Sequence, residues 1–421
     1  MKKTDLISRI KYRFKNVFIW LSPGIGIKRW VGLSIFSIIL LVISSSYLRT
    51  EEYWVVKILD AIVLLSSITI LILGIIRIIR FFIGAVTSSS KGDDLADILY
   101  RRQQLGRGPK IVVIGGGTGL SVLLTGLKEF TSNITAVVTV ADAGGSSGRL
   151  RQQFDMLPPG DIRNCLVALA DASTLMRELF QFRFEAGSEL AGHSFGNLFI
   201  TVMTQLTGDF EKAIKETSKV LALRGQVIPS TLKNVTLAAQ YKDGSVIEGE
   251  DKIPLSHKAI ERVFLRPADP EATPEAVKAI NEAEIIILGP GSLYTSIIPN
   301  LLIKEITEAI SNSRAVKVYI CNVMTQPGET DGYSLSNHIK MLVNHSHQRI
   351  LDYCVVNTGR ISANSLKRYQ LENAHPVIDD RKIVENMGYR VIEDDIVVAD
   401  DVIRHDSLKL AKVVFSLIEE I

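Results

Sequence analysis

The chain has 421 residues, of which 47% are hydrophobic and 22% are charged, so it can bury a large core and exceeds the usual length of one compact domain. Its formal net charge of +3 gives no reason to expect nucleic acid as a partner. The three cysteines, Cys165, Cys321 and Cys354, show no CxxC pairing, which argues against a disulfide framework or a metal site and favours a reducing compartment.

The predicted elements begin with a basic, amphipathic segment, residues 1–29. Two uncharged apolar runs, residues 30–47 and 61–76, follow with a short connection between them. Each run approaches the length that a helix needs to cross a bilayer. The pattern therefore predicts a transmembrane helical hairpin over residues 30–83, although a buried helical hairpin in a soluble protein has the same pattern.

Basic residues lie on both outer flanks of the predicted hairpin, whereas the connection carries Arg49 offset by Glu51 and Glu52. Loops rich in lysine and arginine stay on the cytoplasmic side of a membrane. We therefore expect a cell-membrane protein with both ends of the hairpin, and the main domain, in the cytoplasm. The basic flanks comprise Lys11, Arg13, Lys15, Lys28, Arg29, Arg77, Arg80, Lys91, Arg101 and Arg102.

A polar stretch over residues 84–108 predicts a linker. The sequence pattern changes in the domain that follows, residues 109–421. Short β-branched runs there alternate with helical patterns. Continuous apolar strands separated by helices are typical of a parallel sheet covered on both faces, so we predict an α/β, Rossmann-like, doubly wound, mostly parallel sheet. The predicted strands are KIVVI at 110–114, ITAVVTV at 134–140, IIIL at 285–288, VKVYIC at 316–321 and YCVV at 353–356.

Two local patterns add detail to this domain. A polar-alternating stretch between Gln226 and Glu250, with Asp243-Gly244 as its turn, predicts a β-hairpin insertion. Asp161 precedes the apolar run Ile162–Ala170, which predicts a helix with this carboxylate as its N-cap.

Four predicted strands are each followed at once by a loop of small residues. The carboxyl ends of parallel strands meet at one edge of an open sheet, which is where ligands bind. One such loop proves little, but four at one edge are hard to assign to turn formation alone. The loops are GGGTG at 115–119, ADAGGSSGR at 141–149, GPGSLYTS at 289–296 and NVMTQPGET at 322–330.

The first loop, Gly115–Gly119, has the composition of an anion-binding turn. Without Cβ atoms its N–H groups can converge on a phosphate, and a helix predicted from Leu120 directs its positive end there. The spacing fits the dinucleotide motif GxGxxG only loosely, and a tight structural turn is the alternative. Asp142, at the end of the second strand, can accept from ribose hydroxyls or hold Mg²⁺, or it can simply cap its loop.

Several polar side chains near these loops suit a phosphorylated ligand. The guanidinium groups of Arg149, Arg151 and Arg163 can form bidentate contacts with phosphate oxygens, unless they simply face solvent. Tyr294 can stack on a base or a sugar ring, with a core position as the alternative. Hydroxyl donors to phosphate or sugar are Ser146, Ser147, Ser292 and Thr295.

The motif GHSFGN contains His193 and Asn197, which can contact a ligand, although a structural histidine is the plainer interpretation. We find no nucleophile elbow, no Walker lysine and no paired general acid and base. The spacing of His338, His345 and His347 is not that of a metal site. The sequence thus indicates a binding edge more clearly than a catalytic centre.

Six blocks in order carry a family resemblance: IGGGTGLSVLLTGLK, ADAGGSSGRLR, PPGDIRN, GHSFGN, ILGPGSLYTSIIPNLL and CNVMTQPGETDGY. On these blocks the chain, roughly from Lys110 to Ile421, resembles the gluconeogenesis factor family (YvcK-like), within the superfamily of 2-phospho-L-lactate transferases (CofD-like). The resemblance implies a Rossmann-like core, binding of UDP-sugars such as UDP-N-acetylglucosamine, and a role in cell shape and cell-wall synthesis on gluconeogenic carbon sources.

The resemblance also implies the residues that bind the ligand. Relatives often carry a second acid or an amide directly after Asp142, where this chain has Ala143, and this departure counts against a two-carboxylate magnesium site. The predicted hairpin is a second departure, which suggests a tether near membrane-bound wall-building enzymes. The positions that match the family blocks are Gly115, Gly116, Gly117, Thr118, Gly119, Asp142, Gly145, Ser146, Arg149, Asn164, His193, Asn197, Gly291, Ser292, Tyr294, Thr325 and Gln326.

Three functions are compatible with these residues. The first is a regulator that binds a UDP-sugar and presents an altered surface to a partner, which could include cell-wall synthesis proteins. The second is a nucleotide-dependent transferase of the 2-phospho-L-lactate type that uses Asp142 with magnesium. The third, disfavoured by the glycine spacing, is a dehydrogenase that binds NAD. The sequence leaves open whether the chain forms a homo-oligomer.

Overall fold

The structure is a computed structural model that describes residues 27–50, 53–86, 104–185, 187, 189–399 and 403–419. The predicted amphipathic segment, apart from its last three residues, and most of the predicted linker lie outside the described residues. The chain divides into two compact units, a helical unit that ends at Gln104 and an α/β unit that begins at Leu105.

The helical unit contains two helices, α1 (Ile27–Thr50) and α2 (Trp54–Val86). They contact each other in an antiparallel sense, because Ser44 Oγ donates to the carbonyl of Asp60 at 2.8 Å while the Arg77 guanidinium lies 5.4 Å from the Trp30 ring centroid. Among the described helices, only Trp54–Ile79 within α2 is long and apolar enough to cross a membrane. The apolar part of α1 is shorter, so the second span of the predicted hairpin stays a prediction.

The α/β unit is built on a seven-stranded sheet with the strand order β10-β9-β8-β7-β1-β2-β3. Every neighbouring pair in this sheet is parallel. The mostly parallel α/β sheet is therefore confirmed, and its five predicted strands are present. The seven strands are β1 (Ile111–Gly115), β2 (Ile134–Val138), β3 (Gln226–Pro229), β7 (Ile285–Leu288), β8 (Val316–Ile320), β9 (Tyr353–Asn357) and β10 (Arg390–Asp394).

A smaller antiparallel sheet of order β5-β4-β6 is inserted between β3 and β7. It contains β4 (Thr236–Tyr241), β5 (Val246–Glu248) and β6 (Ile260–Arg266). The predicted hairpin with the Asp243-Gly244 turn is confirmed as β4–β5, since Gln240 pairs with Val246. Its predicted start at Gln226 is wrong, because Gln226 begins β3 of the large sheet, where it pairs with Thr135.

The remaining elements cover the faces and the carboxyl end of the large sheet. A two-stranded ribbon near the carboxyl terminus pairs β11 (Val397–Ala399) with β12 (Ile403–His405). The helices are α3 (Gly117–Leu127), α4 (Gly145–Phe154), α5 (Gly160–Leu169), α6 (Thr174–Gln181), α7 (Phe195–Thr207), α8 (Phe210–Val220), α9 (Pro274–Glu282), α10 (Ile298–Leu301), α11 (Lys304–Asn312), α12 (Leu335–Asn344), α13 (Ala363–Leu371), α14 (Arg381–Asn386) and α15 (Ser407–Glu419).

The strands of the sheet centre are wholly apolar because both of their faces are buried. Val113 in β1 and Ile287 in β7 have no solvent exposure. Helix α15 closes over α3, where a Cβ atom at Gly126 would lie 1.8 Å from the Ser407 carbonyl oxygen. The residue at this contact must therefore lack a side chain, and the start of α15 is held against the helix that follows β1.

The strand order reverses between β1 and β7. The chain proceeds outward from β1 to β2 and β3, and then returns to the other side of β1 with β7 before it proceeds to β8, β9 and β10. In open α/β sheets a ligand binds in the crevice at such a topological switch point, outside the carboxyl ends of the strands. The fold therefore places a candidate site at the loops that follow β1 and β7.

Candidate functional site

A cavity of about 580 Å³ opens at the carboxyl ends of the central strands. Residues from all four small-residue loops line it, so the predicted meeting of these loops at one edge is confirmed. The predicted site residues that line the cavity are Gly116, Gly117, Thr118, Gly119, Asp142, Asn164, Gly291, Ser292, Thr325 and Gln326.

Residues 116–119 of the glycine loop form one wall of the cavity, at the topological switch point. Gly117 has a φ of +68°, and a Cβ at Gly119 would lie 2.7 Å from the carbonyl oxygen of Pro290 in the loop after β7. The first N–H groups of α3 have no partner within the helix and carry its positive dipole end. Gly115 is instead the last residue of β1, where its carbonyl accepts from Thr139 N at 3.0 Å, and it does not line the cavity.

Helix α3 begins at Gly117, three residues before the predicted start, so the glycines themselves form its first turn. Asp161 contacts this turn: its carboxylate accepts a backbone hydrogen bond from Gly117, and a Cβ at Gly116 would lie 2.5 Å from Asp161 Oδ2. The predicted N-cap role of Asp161 is wrong, because α5 begins at Gly160 with Pro159 at the cap position.

Carboxyl groups form a second wall of the cavity. Burial, and then the charge of Asp142, raise the pKa of Asp161 to about 7. Burial, followed by Asp142 and Asp161, raises the pKa of Glu250 to about 8. Burial also raises the pKa of Asp142, against hydrogen bonds from the Gly144 N–H and from Ser147. We call Asp142, Asp161 and Glu250 the acidic wall.

A fourth buried carboxyl group, Glu329, accepts from Thr295 Oγ1 at 3.3 Å, and its burial raises its pKa to about 7. Thr295 lines the cavity but uses its hydroxyl in this contact. Nearby, Gln326 Nε2 donates to Ser292 Oγ at 2.6 Å, which joins the loop after β8 to the loop after β7.

The three arginines predicted to contact phosphate do not line the cavity. Arg151 donates to the Val235 carbonyl at 2.7 Å, and buried Arg163 donates to Ser194 and Asn164. Both guanidinium groups are used inside the protein, so the predicted phosphate role is wrong for these two residues. Exposed Arg149 donates to the Ala191 carbonyl at 2.9 Å, and its contact with a ligand stays a prediction.

A buried polar cluster lies behind the loop after β2. Ser146 Oγ is 3.0 Å from His193 Nδ1 and accepts from Asn197 Nδ2 at 3.0 Å. Burial, and then the charge of Arg149, lower the pKa of His193. None of these residues lines the cavity, and neither do Gly145 and Ser147 beside them, so their ligand contacts also stay predictions.

The predicted stacking role of Tyr294 is wrong. Its side chain has no solvent exposure and its hydroxyl lies 2.7 Å from the hydroxyl of Tyr333. The residue belongs to a π-helical turn, Leu293–Ile297, which directs the ring into the core.

The three cysteines are buried and free, as expected of core thiols.

Sequence reasoning missed one wall of the cavity, which the carboxyl-terminal elements supply. Tyr369 from α13 and Arg404 and His405 from β12 line it. The Ile403 N–H donates to the Tyr369 hydroxyl at 3.2 Å, which fixes this ring against β12. Burial lowers the pKa of His405 to about 4, so the imidazole is neutral at pH 7. No glycine loop or apolar strand precedes these residues, so no local pattern in the sequence identifies them.

Asp142 was the predicted magnesium ligand. Within the described ranges, no group of three or more His, Cys, Asp and Glu side chains is arranged to hold a metal ion. Asp142 Oδ1 accepts from Gly144 N at 2.9 Å, and its neighbours in the acidic wall come from separate elements. The magnesium role of Asp142 stays a prediction, because Mg²⁺ commonly takes one or two carboxylates together with the phosphate oxygens of a ligand.

Comparison with known proteins supports the resemblance seen in the six blocks. The family model described as 2-phospho-L-lactate transferase CofD matches residues 111–397. The gluconeogenesis factor of Bacillus subtilis is 50% identical over 317 residues, which cover 75% of this chain and 100% of that protein. A protein of Nostoc sp. with the same family name is 47% identical over 427 residues, which cover 96% of this chain and 93% of that protein.

A crystal structure of a UPF0052 family member from Bacillus halodurans has the same fold. Its TM-score is 0.72 and its sequence identity is 48%, with 73% of this chain and 99% of that chain covered. The match to the Nostoc relative covers almost all of this chain, whereas the Bacillus matches cover about three quarters of it.

Proposed function

This chain belongs to the gluconeogenesis factor family, whose members carry a CofD domain, and we propose that it is a UDP-sugar-binding regulator. Its ligand is a nucleotide sugar of the UDP-N-acetylglucosamine type, bound in the switch-point cavity. Its proposed role is to maintain cell shape and cell-wall synthesis during gluconeogenic growth.

The observation that carries the proposal is the glycine loop at the topological switch point. The N–H groups of Thr118 and Gly119 at a helix start are suited to a diphosphate, and the close contact of Gly119 with Pro290 keeps side chains out of the way. The cavity volume falls within the range of about 300–1,000 Å³ that is common for small-molecule sites.

The charges around the cavity favour a ligand that is anionic in one part and rich in hydroxyl groups in another. Among the described residues, Arg404 is the only arginine or lysine that lines the cavity. Asp142 and Glu250 would repel a diphosphate, so we place the diphosphate at the N–H groups of Thr118 and Gly119, where burial raises the pKa of the adjacent Asp161 to about 7 and favours its neutral form. If Mg²⁺ accompanies it, Asp142 is the residue that would hold the ion, and the ion would neutralise phosphate charge.

A regulator is favoured over an enzyme because the serine–histidine pair of this chain, Ser146 and His193, is buried behind the cavity rather than in it. The alternative is a transferase of the 2-phospho-L-lactate type, which the description of the matching family model favours. In that case Asp142 would hold the magnesium ion that accompanies a nucleotide diphosphate donor.

We further propose that the helical unit tethers the chain to the cell membrane as a two-helix hairpin, with the α/β unit in the cytoplasm. Helix α2 has the length and composition of a span, and Ser44 joins α1 to it. Membrane-bound enzymes of cell-wall synthesis are the proposed partners, because a tether would hold the regulator in the same two-dimensional compartment.

Calorimetric titration of the purified full-length protein with UDP-N-acetylglucosamine, UDP, GDP and NAD tests this proposal. The sugar nucleotide should bind in a 1:1 ratio, and at about 100 times its dissociation constant it should stabilise the protein by about 2.7 kcal/mol. Binding of NAD alone would replace the proposal with a dehydrogenase. Turnover of a guanine nucleotide donor would instead establish the transferase.

A further inference from the structure

Asn164 is an amide side chain of the cavity wall whose orientation the protein fixes. Its Oδ1 accepts from Arg163 NH2 at 2.7 Å. Its Nδ2 makes no hydrogen bond to any of the described residues, and the residue lines the cavity. Because the oxygen is occupied by a guanidinium donor, the nitrogen with its two N–H groups is the part that remains available to a ligand.

Arg163 is held in place from the other side. Its NH1 donates to Ser194 Oγ, the N-cap of α7. Gly196 lets the arginine stem pass, since a Cβ there would lie 2.8 Å from Arg163 Cδ. Arg163 is 8% exposed, and burial, followed by the charge of Arg183, lowers its pKa, whereas Asp161 and Asp142 favour its charged form. An arginine placed in this way orients its neighbour and does not reach a ligand itself.

Asn164 lies three residues after Asp161 in α5, so both side chains are on the same face of the helix. Asn164 offers N–H donors, and the carboxyl groups of the acidic wall offer acceptors. A ligand hydroxyl has one donor and two acceptor sites, so this wall can satisfy all of its hydrogen bonds. A phosphate group is an acceptor only and carries negative charge, so the same wall disfavours it.

We propose that Asn164 is a specificity-determining residue that binds a hydroxyl of the sugar, and that Arg163 is its positioning residue. This inference rests on the proposed function and adds an orientation to it. The sugar lies against Asn164 and the diphosphate lies at the Thr118 and Gly119 N–H groups, with Asp161 next to both. The base lies toward Tyr369 and His405, where a ring and a neutral imidazole are present.

The test is the ratio of two dissociation constants, for UDP and for UDP-N-acetylglucosamine, measured by calorimetry on the full-length protein. Asn164→Leu keeps the size of the side chain and removes its donors, together with the oxygen that accepts from Arg163. It should weaken binding of the sugar nucleotide about tenfold and leave binding of UDP unchanged. Asn133→Leu, the same change at the amino end of β2, is the matched control and should alter neither constant.

Arg163→Lys tests the positioning role, because lysine keeps the charge but cannot hold Ser194 and Asn164 with a planar fork. The ratio should fall several-fold toward the value of Asn164→Leu. An arginine that serves stability alone would lower the melting temperature and leave the ratio unchanged, which would overturn the positioning role. Ser194→Ala gives a second readout if Arg163→Lys does not fold, and it should shift the ratio in the same direction.

Two outcomes would overturn the specificity role of Asn164 while the proposed function stands. In one, wild-type protein binds UDP and the sugar nucleotide equally tightly. In the other, Asn164→Leu weakens both ligands by the same factor, which would make it a phosphate contact. If wild-type protein binds neither ligand, the proposed function itself fails and this inference fails with it.

Discussion

In the α/β unit most residues without solvent exposure are apolar, as Val113 in β1 and Ile287 in β7 are. In the helical unit the reverse holds, because Ser37 and Ser67 have no exposure while Leu65 is 64% exposed. Water drives apolar side chains inward, whereas lipid leaves them outside and lets helices meet through small residues. The difference is what the proposed membrane tether predicts for the helical unit.

Glycine gives a close backbone approach in both units, but against different neighbours. At Gly119 the neighbour is the fixed carbonyl of Pro290, 2.7 Å from the position of a Cβ atom. At Gly74 it is the hydroxyl of Ser34, which donates to the Trp30 carbonyl and can rotate. Glycine therefore shapes the cavity at Gly119, whereas Gly74, like Gly126 between α3 and α15, lets two helices approach each other.

The largest expected effect is that of a charge placed in the interior of the α/β unit. Val113→Lys buries an unpaired ammonium in the central strand and should destabilise the protein by more than about 4 kcal/mol, which prevents folding. Proteolysis and thermal unfolding measure this. Leu206→Lys, on a 76% exposed position of α7, is the control and should change stability by less than about 0.5 kcal/mol.

The same substitution in the helical unit sharpens the comparison. Leu65→Lys places a charge near the middle of the apolar stretch Trp54–Ile79. If lipid surrounds this position, membrane insertion should weaken by about 2.5–3.5 kcal/mol. Membrane flotation of the full-length protein measures the bound fraction. If the membrane-bound fraction did not change, position 65 would behave like an exposed residue in water. This result would contradict the proposed membrane tether.

Gly119→Ala should have a smaller effect that is specific to the cavity. The loops after β1 and β7 must separate to admit the methyl group, which costs about 1–3 kcal/mol and should weaken binding of UDP-N-acetylglucosamine at least tenfold. Calorimetry and thermal unfolding measure both quantities. Gly74→Ala, in which a hydroxyl can rotate away, should leave the affinity unchanged, and an equal loss in both variants would show that the effect is not local.

The smallest expected effect concerns pH. The folded pKa values of Asp161 and Glu250, about 7 and about 8, exceed their ordinary values of 3.8 and 4.5. Protonation therefore favours the folded state, so the stability contribution is complete below pH 4 and is lost between pH 4 and 8. Asp161→Asn should remove about 1–2 kcal/mol of this dependence and raise the melting temperature at pH 8. A steeper dependence in the variant would contradict the assignment.

The sequence predicts much of the α/β unit because its signals are local. Continuous apolar runs mark buried parallel strands, and the small-residue loops that follow them mark the ligand edge. Edge strand β10, Arg390–Asp394, is partly exposed and polar, so no apolar run indicates it. The site is less predictable than the sheet, since Arg163 and Tyr294 are turned inward by tertiary contacts that no spacing reveals.

The cavity wall that the carboxyl-terminal elements supply was also not predictable from local sequence patterns. Tyr369, Arg404 and His405 are far from the glycine loop in sequence, and they reach it because the carboxyl-terminal ribbon and helix α15 fold back over α3. Such long-range contacts depend on packing rather than on periodicity. In the helical unit, composition predicted the apolar runs, whereas the serine-lined contact between the helices needed the structure.

The central claim is that the amides after β1 and β7 bind the diphosphate of a nucleotide sugar. Hydrogen–deuterium exchange of the full-length protein, with and without saturating UDP-N-acetylglucosamine, tests it most directly. We predict slower exchange at Gly117–Gly119 and at Gly291 and Ser292, with little change at the Asp243-Gly244 turn. Protection confined to other parts of the chain, with these amides unchanged, would contradict the account.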